Sequence, residues 1–315
     1  WRAFLSVQPR ENSDKGLPVT TSINMTGTGL AVLRRKNSYI NLDYGNYGGG
    51  HGHPDRLNIT CFLNNRRWFT DYGTGNYYLD HLRYYRSTLG HNTVNQDGKR
   101  QSAVSGEYDL FYSGRMFDAA SGKVADIYPK TFGRRTVVLF DNGIAFDYIN
   151  IKSDESHTYH NVYHSFGKLN DESYHNTNEI FEEEGYDFLH DIKRNVVKDG
   201  QVNIFETDKA SLIMHGAVLG TMVQYSARAY GPPKNIPDLF PILIQEKTGE
   251  EVFFANIYED VKSGQKNRIK SLTTIDSHRF EICFNDDKKM IIDVSQGVEI
   301  IYDGIEEKAI YENKP

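Results

Sequence analysis

The 315-residue chain has 25% charged residues, 38% hydrophobic residues and a net charge of −6, values typical of a folded globular protein. No stretch approaches the roughly 20 apolar residues of a membrane-spanning helix, so we expect no membrane span. Basic side chains outnumber acidic ones in residues 1–135, whereas acidic ones dominate the remainder. The N-terminal half is therefore the better host for an anionic partner.

The predicted elements are almost all strands, because 21 Tyr and 17 Phe accompany many short β-branched runs. Residues 29–33 and 38–44 alternate apolar and polar side chains and predict a hairpin. Residues 59–63 and 68–72 predict a second hairpin with Asn64-Asn65 at its turn. Further strands are predicted at 135–140, 144–149, 202–205, 211–215, 239–245, 251–257, 279–284, 290–294 and 298–302.

Helical signals are scarce. Residues 76–86 predict one or two helical turns, and the acidic residues 171–185 predict an exposed irregular segment. The fold class is therefore mostly β, a large antiparallel β-sandwich or stacked-sheet domain with little helix. We expect one domain over residues 1–315, with a possible subdivision near 226–238, where three prolines interrupt the pattern.

The stretch YGGGHGHPDRLN, residues 47–58, concentrates chemistry-bearing side chains. In an extended strand, His51 and His53 would share one face. Asp71 and His91 follow in WFTDYGTG and STLGHNTV, so two histidines and a carboxylate form a plausible zinc ligand set. The alternative is hydrogen-bonded histidines on a sheet face. The glycines match neither GxGxxG nor a P-loop, which argues against nucleotide phosphate binding.

An ordered run of motifs spans residues 27–98: GTGLAVLRR, NSYINLDYGNYGGGHGHPDRLNITCFLNN, WFTDYGTGNYY and YYRSTLGHNTVNQDG. This run resembles the heparinase II/III-like polysaccharide lyases, which include several alginate and oligoalginate lyases. The resemblance implies that His53, Asp71 and His91 bind a structural zinc and that His51 projects into the substrate cleft. It assigns Asp55 and Asn58 to orienting roles around the metal ligands.

The resemblance also implies an N-terminal α/α-toroid, which carries the family's catalytic tyrosine and the Asn or His that neutralises the substrate carboxylate. No such region is present in this sequence, which begins at Trp1 rather than Met. We therefore expect the C-terminal β-sheet part of a lyase, with a toroid domain upstream in a longer parent chain. That toroid is one expected partner, and an acidic polysaccharide or oligosaccharide is the other.

The expected activity is β-elimination on a uronate-containing polysaccharide of the heparin, heparan sulfate or alginate type. His51 is the expected catalytic residue, since imidazole titrates near neutrality. Tyr77, Tyr78 and Tyr85 could stack on sugar faces, and Arg86 could pair with a carboxylate or sulfate. The alternative for these four residues is aromatic packing and a solvated arginine.

Other functions remain open at this point. A non-catalytic, zinc-stabilised domain that binds glycan or scaffolds a toroid is the main alternative. A zinc hydrolase is less favoured, because no HExxH motif is present. Nucleic-acid binding is not expected without a recognisable reading motif. His157, His160 and His164 are expected to be sheet-surface or core histidines. The size of the substrates predicts a periplasmic or secreted location.

Overall fold

A computed structural model of the chain describes residues 21–75, 80–178, 180–181, 184–198, 200–233 and 238–312. The described residues form three antiparallel sheets. The first sheet holds, in chain order, β1 (Ile23–Met25), β2 (Leu30–Arg35), β3 (Ser38–Asp43), β4 (Asn58–Leu63) and β5 (Arg66–Phe69).

The second sheet has twelve strands. They are β6 (Val94–Gln96), β7 (Glu107–Ser113), β8 (Phe117–Tyr128), β9 (Thr131–Phe140), β10 (Ile144–His164), β11 (Lys168–Leu169), β12 (His175–Asn176), β13 (His190–Val197), β14 (Gln201–Glu206), β15 (Ala210–Ala217), β16 (Met222–Tyr230) and β17 (Leu239–Lys262). The third sheet holds β18 (Ile269–Thr274), β19 (Arg279–Phe284), β20 (Lys289–Asp293), β21 (Gly297–Tyr302) and β22 (Ile305–Ile310).

Helix is confined to one short α-helix and single 3-10 turns in the described part of the chain. The helix α1 spans Leu82–Tyr85, and the 3-10 turns span Gly49–His51, Thr88–Gly90, Asp141–Gly143 and Tyr186–Phe188. The predicted mostly-β class is thus confirmed. No helix among the described residues is long and apolar enough to span a membrane.

The long strands β10 and β17 pair along almost their full length, with a register shift between Lys152 and His157. Within β10, the Tyr163 hydroxyl donates to Asp147 Oδ2 at 2.9 Å. A straight strand would separate these two residues by about 50 Å. The pair of strands therefore bends sharply at the bulge, and the second sheet folds over itself.

Alternation along β9 shows how the layers stack. Val137 and Leu139 join the core beneath the first sheet, together with Leu42. Val138, one position between them, joins a separate core against the third sheet, together with Phe280. The second sheet therefore lies between two hydrophobic layers, and its central strands are apolar on both faces.

Both predicted hairpins are present. The first is β2 and β3, and the second is β4 and β5, with Asn64 and Asn65 at φ of 49° and 62°. Positive φ at both central positions is the requirement of the two-residue turn that Asn tolerates well. The strands predicted at 239–245 and 251–257 are one continuous strand, β17, because the TGE segment lies at the bend and does not reverse the chain. The possible subdivision near 226–238 stays a prediction.

Candidate functional site

The HGH segment lies in a glycine-bounded loop between β3 and β4, and the predicted extended strand is wrong. Gly48 and Gly49 adopt φ of 75° and 65°, which starts the 3-10 turn that ends at His51. A Cβ at Gly52 would lie 1.6 Å from the Tyr47 carbonyl oxygen, so only glycine fits there. The glycine run therefore serves a tight turn that exposes His51.

Buried hydrogen bonds anchor the second half of this loop. The Arg56 guanidinium is buried, pairs with Asp55 and donates to the Gly45 carbonyl at 2.7 Å. The Arg56 backbone N–H donates to Gln101 Oε1 at 2.7 Å. The Thr88 hydroxyl donates to the Pro54 carbonyl at 2.9 Å. Arg56 is thus a packing residue that holds the loop against the segment carrying His91.

The half-buried Asp71 and the buried His91 form a pair beside the loop. His91 Nδ1 lies 2.6 Å from Asp71 Oδ2, which also accepts from Asn58 Nδ2 at 2.8 Å. Asp71 Oδ1 accepts from the Gly73 N–H at 2.7 Å. Burial opposes ionisation, but His91 and these hydrogen bonds lower the pKa of Asp71 to about 2. The carboxylate is therefore charged at neutral pH and orients the His91 ring.

The other ring nitrogen of His91, Nε2, has no hydrogen-bond partner among the described residues. His91 is 1% exposed, and its Nε2 is buried without a hydrogen-bond partner there. The His53 ring centroid lies 5.1 Å from that of His91. One ligand atom each from His53, Asp55 and His91 lie within 4.8 Å of one another. An unpaired buried nitrogen beside a histidine and a carboxylate fits a divalent cation such as zinc.

The electrostatics of the two histidines differ. Burial lowers the pKa of His53, and the neighbouring His91 adds to that effect, which favours the neutral ring that a metal requires. Burial acts in the same direction on His91, but the Asp71 carboxylate raises its pKa overall. A carboxylate on the far nitrogen of a ligating histidine is a common arrangement that increases the basicity of the ring.

His164, at the end of β10, lies behind this pair and was not predicted as part of the site. The Asn92 amide donates to the Ile59 and Thr70 carbonyls, so its Oδ1 is the acceptor for His164 N and Nδ1 at 2.6 and 3.1 Å. His164 Nε2 then accepts from the Tyr84 hydroxyl at 2.9 Å. Burial and the nearby His91 lower the pKa of His164 to about 3, so this ring is neutral.

A buried ion pair supports both chain segments of the site from below. The Arg135 guanidinium binds Asp147 through two hydrogen bonds of 2.7 and 2.6 Å. Its Nη1 donates to the carbonyl oxygens of Leu57 and Asn92 at 2.9 and 2.7 Å. These carbonyls belong to the ends of the loop and of the His91 segment. Arg135 therefore connects the core of the folded sheet to both.

The remaining predicted site residues divide into three groups. Arg86 Nη2 donates to the Gly50 carbonyl at 3.0 Å, which places it beside the exposed His51. Tyr85 is 1% exposed, and its hydroxyl donates to the Gly231 carbonyl at 2.6 Å, so the structure contradicts sugar stacking and supports the packing alternative. Tyr77 and Tyr78 lie outside the described residues.

Comparison with known proteins finds a family match over the segment that carries these residues. Residues 18–151 match the family described as heparinase II/III-like, C-terminal. These matches support the heparinase II/III-like family for that segment of the chain. An exo-oligoalginate lyase from Saccharophagus degradans is 28% identical over 136 residues, which cover 36% of this chain and 18% of that protein.

Solved structures share the fold of this chain at low identity. A heparan sulfate lyase mutant from Pedobacter heparinus has a TM-score of 0.69 at 15% identity, covering 89% of this chain and 43% of that chain. A heparinase III with methylated lysines has a TM-score of 0.69 at 14% identity, covering 88% and 42%. The chain thus spans less than half the length of these relatives.

Proposed function

We propose that this chain is the β-sheet part of a polysaccharide lyase that cleaves a uronate-containing acidic glycan by β-elimination. The observation that carries the proposal is the exposed glycine turn, which presents His51 beside Arg86. The same loop is anchored by the buried Arg56 and by the contact of half-buried His53 with buried His91. The names of the relatives, an oligoalginate lyase and heparan sulfate lyases, support this substrate class.

The chemistry places three tasks around one sugar ring. A base removes the C5 proton, a positive or hydrogen-bonding group neutralises the carboxylate as charge develops, and an acid protonates the departing C4 oxygen. We assign a proton-transfer or carboxylate-neutralising task to His51, with Arg86 pairing to a carboxylate or sulfate. The other tasks fall to an α/α-toroid domain, which we propose as the partner of this chain within a longer lyase.

We also propose that His53 and His91 hold a structural divalent cation, zinc by donor chemistry, with one carboxylate as third protein ligand. Asp55 lies within reach of both histidine nitrogens, whereas Asp71 bonds the far nitrogen of His91. Bound there, the ion would join the HGH loop to the His91 segment and keep the His51 turn in place. The polymeric substrate makes a periplasmic or secreted location part of the same proposal.

The test uses the full-length lyase that contains this chain, incubated with heparan sulfate, alginate and oligoalginate. We expect an unsaturated uronate product, seen by its ultraviolet absorbance and by mass spectrometry, from at least one of them. His51→Ala should reduce kcat by about 100-fold or more, the usual contribution of a positioned acid or base. The exposed His175, on β12, provides the matched control His175→Ala.

Retention of full activity in His51→Ala would remove His51 from the mechanism. Binding of these glycans with no unsaturated product from the full-length protein would overturn the lyase proposal and leave a non-catalytic glycan-binding domain.

A further inference from the structure

A polar cleft lies at the opposite end of the strands from the candidate site. It is formed by the β2–β3, β4–β5, β9–β10 and β14–β15 turns and by the segment after β17, and its volume is about 860 Å³. Strand β4 begins at Asn58, which contacts Asp71, and its following turn at Asn64 lines the cleft. The length of this strand separates the two places by about 20 Å.

The floor of the cleft consists of paired acidic and basic side chains and is electrically neutral. The buried Asp260 carboxylate pairs with Arg66 and accepts from Trp68 Nε1 at 2.7 Å and Asn64 Nδ2 at 3.0 Å. The buried Glu259 carboxylate accepts from Arg268 Nε at 2.8 Å. Both acids are therefore fully engaged, which leaves them little capacity to offset further positive charge.

The rim of the cleft carries the positive charge. Lys209, Lys262 and Lys266 are exposed, and none of their ammonium groups has an ion-pair partner among the described residues. Exposed amide side chains stand between them. These are Asn37, Asn65, Asn142 and Gln265. Amides offer both donors and acceptors, which suits sugar hydroxyls, and ammonium groups suit carboxylates or sulfates.

A second cavity of about 650 Å³ continues this cleft, since Asn142, Lys266 and Arg268 line both. Its wall is more apolar and includes Met116 and Tyr302. An aromatic and aliphatic wall beside cationic and amide groups is the combination that packs against the apolar face of a pyranose ring while its charged substituents are paired.

We propose that this cleft is a second binding site for an acidic oligosaccharide, separate from the His51 turn, and that it holds a carboxylated or sulfated segment of a glycan chain. The choice of ligand rests on the proposed function, whereas the site itself rests on the unpaired lysines, the amides and the neutral floor. The site would bind without performing chemistry, since no described group in it is arranged for proton transfer to a sugar.

The test is calorimetric binding of an alginate hexasaccharide to the protein carrying His51→Ala, which should slow turnover strongly. The cleft variant combines Lys209→Gln, Lys262→Gln and Lys266→Gln. The control combines Lys152→Gln, Lys289→Gln and Lys308→Gln, exposed lysines that are each paired with a glutamate elsewhere. We expect the cleft variant to weaken binding about tenfold, a loss that shrinks with added salt, and the control to leave it unchanged.

Hydrogen exchange locates the ligand in the wild-type chain. The hexasaccharide should slow amide exchange in residues 262–268 as well as near residues 48–53, whereas a neutral cellohexaose should do neither. Equal affinity of the cleft and control variants, or no protection at 262–268, overturns the inference. Displacement by a single-stranded oligonucleotide as effective as the hexasaccharide also overturns it, because the site would then take any polyanion. Absence of cleavage by the full-length protein would count against the lyase alone.

Discussion

Two histidines, His160 and His91, are equally buried but differ in the hydrogen bonding of their ring nitrogens. His160 is 0% exposed, and both of its ring nitrogens are paired, Nδ1 with the Tyr186 hydroxyl and Nε2 with Glu246 Oε2, each at 2.7 Å. His91 has only Nδ1 paired, with Asp71, and its Nε2 is an unpartnered buried nitrogen within the described residues.

The difference teaches how to separate a core histidine from a ligand. An unpaired buried polar atom costs about 1–3 kcal/mol, so a stable protein supplies a partner for it. His160 stacks on Phe181 and has its partners within the chain. His91 faces His53 and Asp55, and the proposed cation would supply the partner that its Nε2 lacks. Burial alone would have placed both residues in the same class.

The largest effect should follow from Arg135→Met. Removing Arg135 leaves the Asp147 carboxylate buried and unpaired, which costs about 3–5 kcal/mol of unfolding free energy. It also leaves the Leu57 and Asn92 carbonyls, next to the segments that carry His53 and His91, without the Arg135 hydrogen bonds. The unfolding free energy measured with denaturant and the metal affinity should both fall, while the His160 imidazole keeps its NMR chemical shifts. Arg135→Met with Asp147→Leu should recover part of the stability, and no recovery would contradict this account.

The second effect separates the two histidines directly. In wild-type protein, saturating zinc should raise the unfolding free energy by about 3 kcal/mol relative to chelated protein, the value for a ligand at 100 times its Kd. His91→Ala should abolish this increment, and His160→Ala should keep it while lowering the stability of both forms. Calorimetric unfolding with and without chelator measures it. Loss of the zinc increment in His160→Ala would contradict the distinction between His91 as a ligand and His160 as a core residue.

The carboxylates can be ranked by the same measurement together with elemental mass spectrometry. If Asp55 is the third ligand, Asp55→Asn should lose the metal outright, and Asp71→Asn should retain it with affinity reduced by about 10–100-fold, as for a partner that orients a ligating histidine. The reverse order would make Asp71 the ligand, as the family resemblance implies.

The smallest effect concerns pH and His164. Its folded pKa is about 3 and its ordinary value is 6.5, so the unfolded chain takes up a proton first as the pH falls. Stability is therefore fully present above pH 6.5 and is lost progressively towards pH 3, by about 2 kcal/mol between pH 7 and pH 5. His91, with a raised pKa, acts in the opposite direction, losing its contribution as the pH rises.

His164→Gln removes this titration, so the metal-free variant should show a shallower loss of stability between pH 7 and pH 5 than the metal-free wild type. Urea unfolding at several pH values provides the measurement, and groups that titrate in both proteins cancel. Parallel pH profiles for the two proteins would show that His164 is not a neutral buried ring.

The sequence predicts the short hairpins well and the long strands poorly. Alternation and Asn-Asn locate β2 to β5, because each face of those strands has one environment. Strand β8 was missed, since ASGKVAD looks like a loop although it is paired with both neighbours. Strand β17 was divided at TGE, which lies opposite the register shift in β10 and continues the strand. Local composition does not distinguish a bend within a strand from its end.

Site prediction shows the same limit. His53 and His91 could be proposed from spacing and family resemblance, and the structure brings them together. The strand geometry expected for HGH was wrong, since three glycines in succession favour a turn. His164 and Arg135 reach the site from distant strands. Their hydrogen bonds to Asn92 span 72 and 43 residues of sequence, respectively. Such contacts depend on how the large sheet folds over, which no local pattern records.

The bent pair of long strands also governs the order of assembly. Tyr148 in β10 pairs with Ala255 in β17, so the two strands of this central pair come from positions far apart in the chain. Strands joined over such distances form slowly, because a long loop must close before any pairing rewards it. During synthesis, β10, which carries His164, lacks its β17 pairing partner until β17 has emerged. Chains interrupted before that point would leave one edge of β10 unpaired and be prone to aggregation.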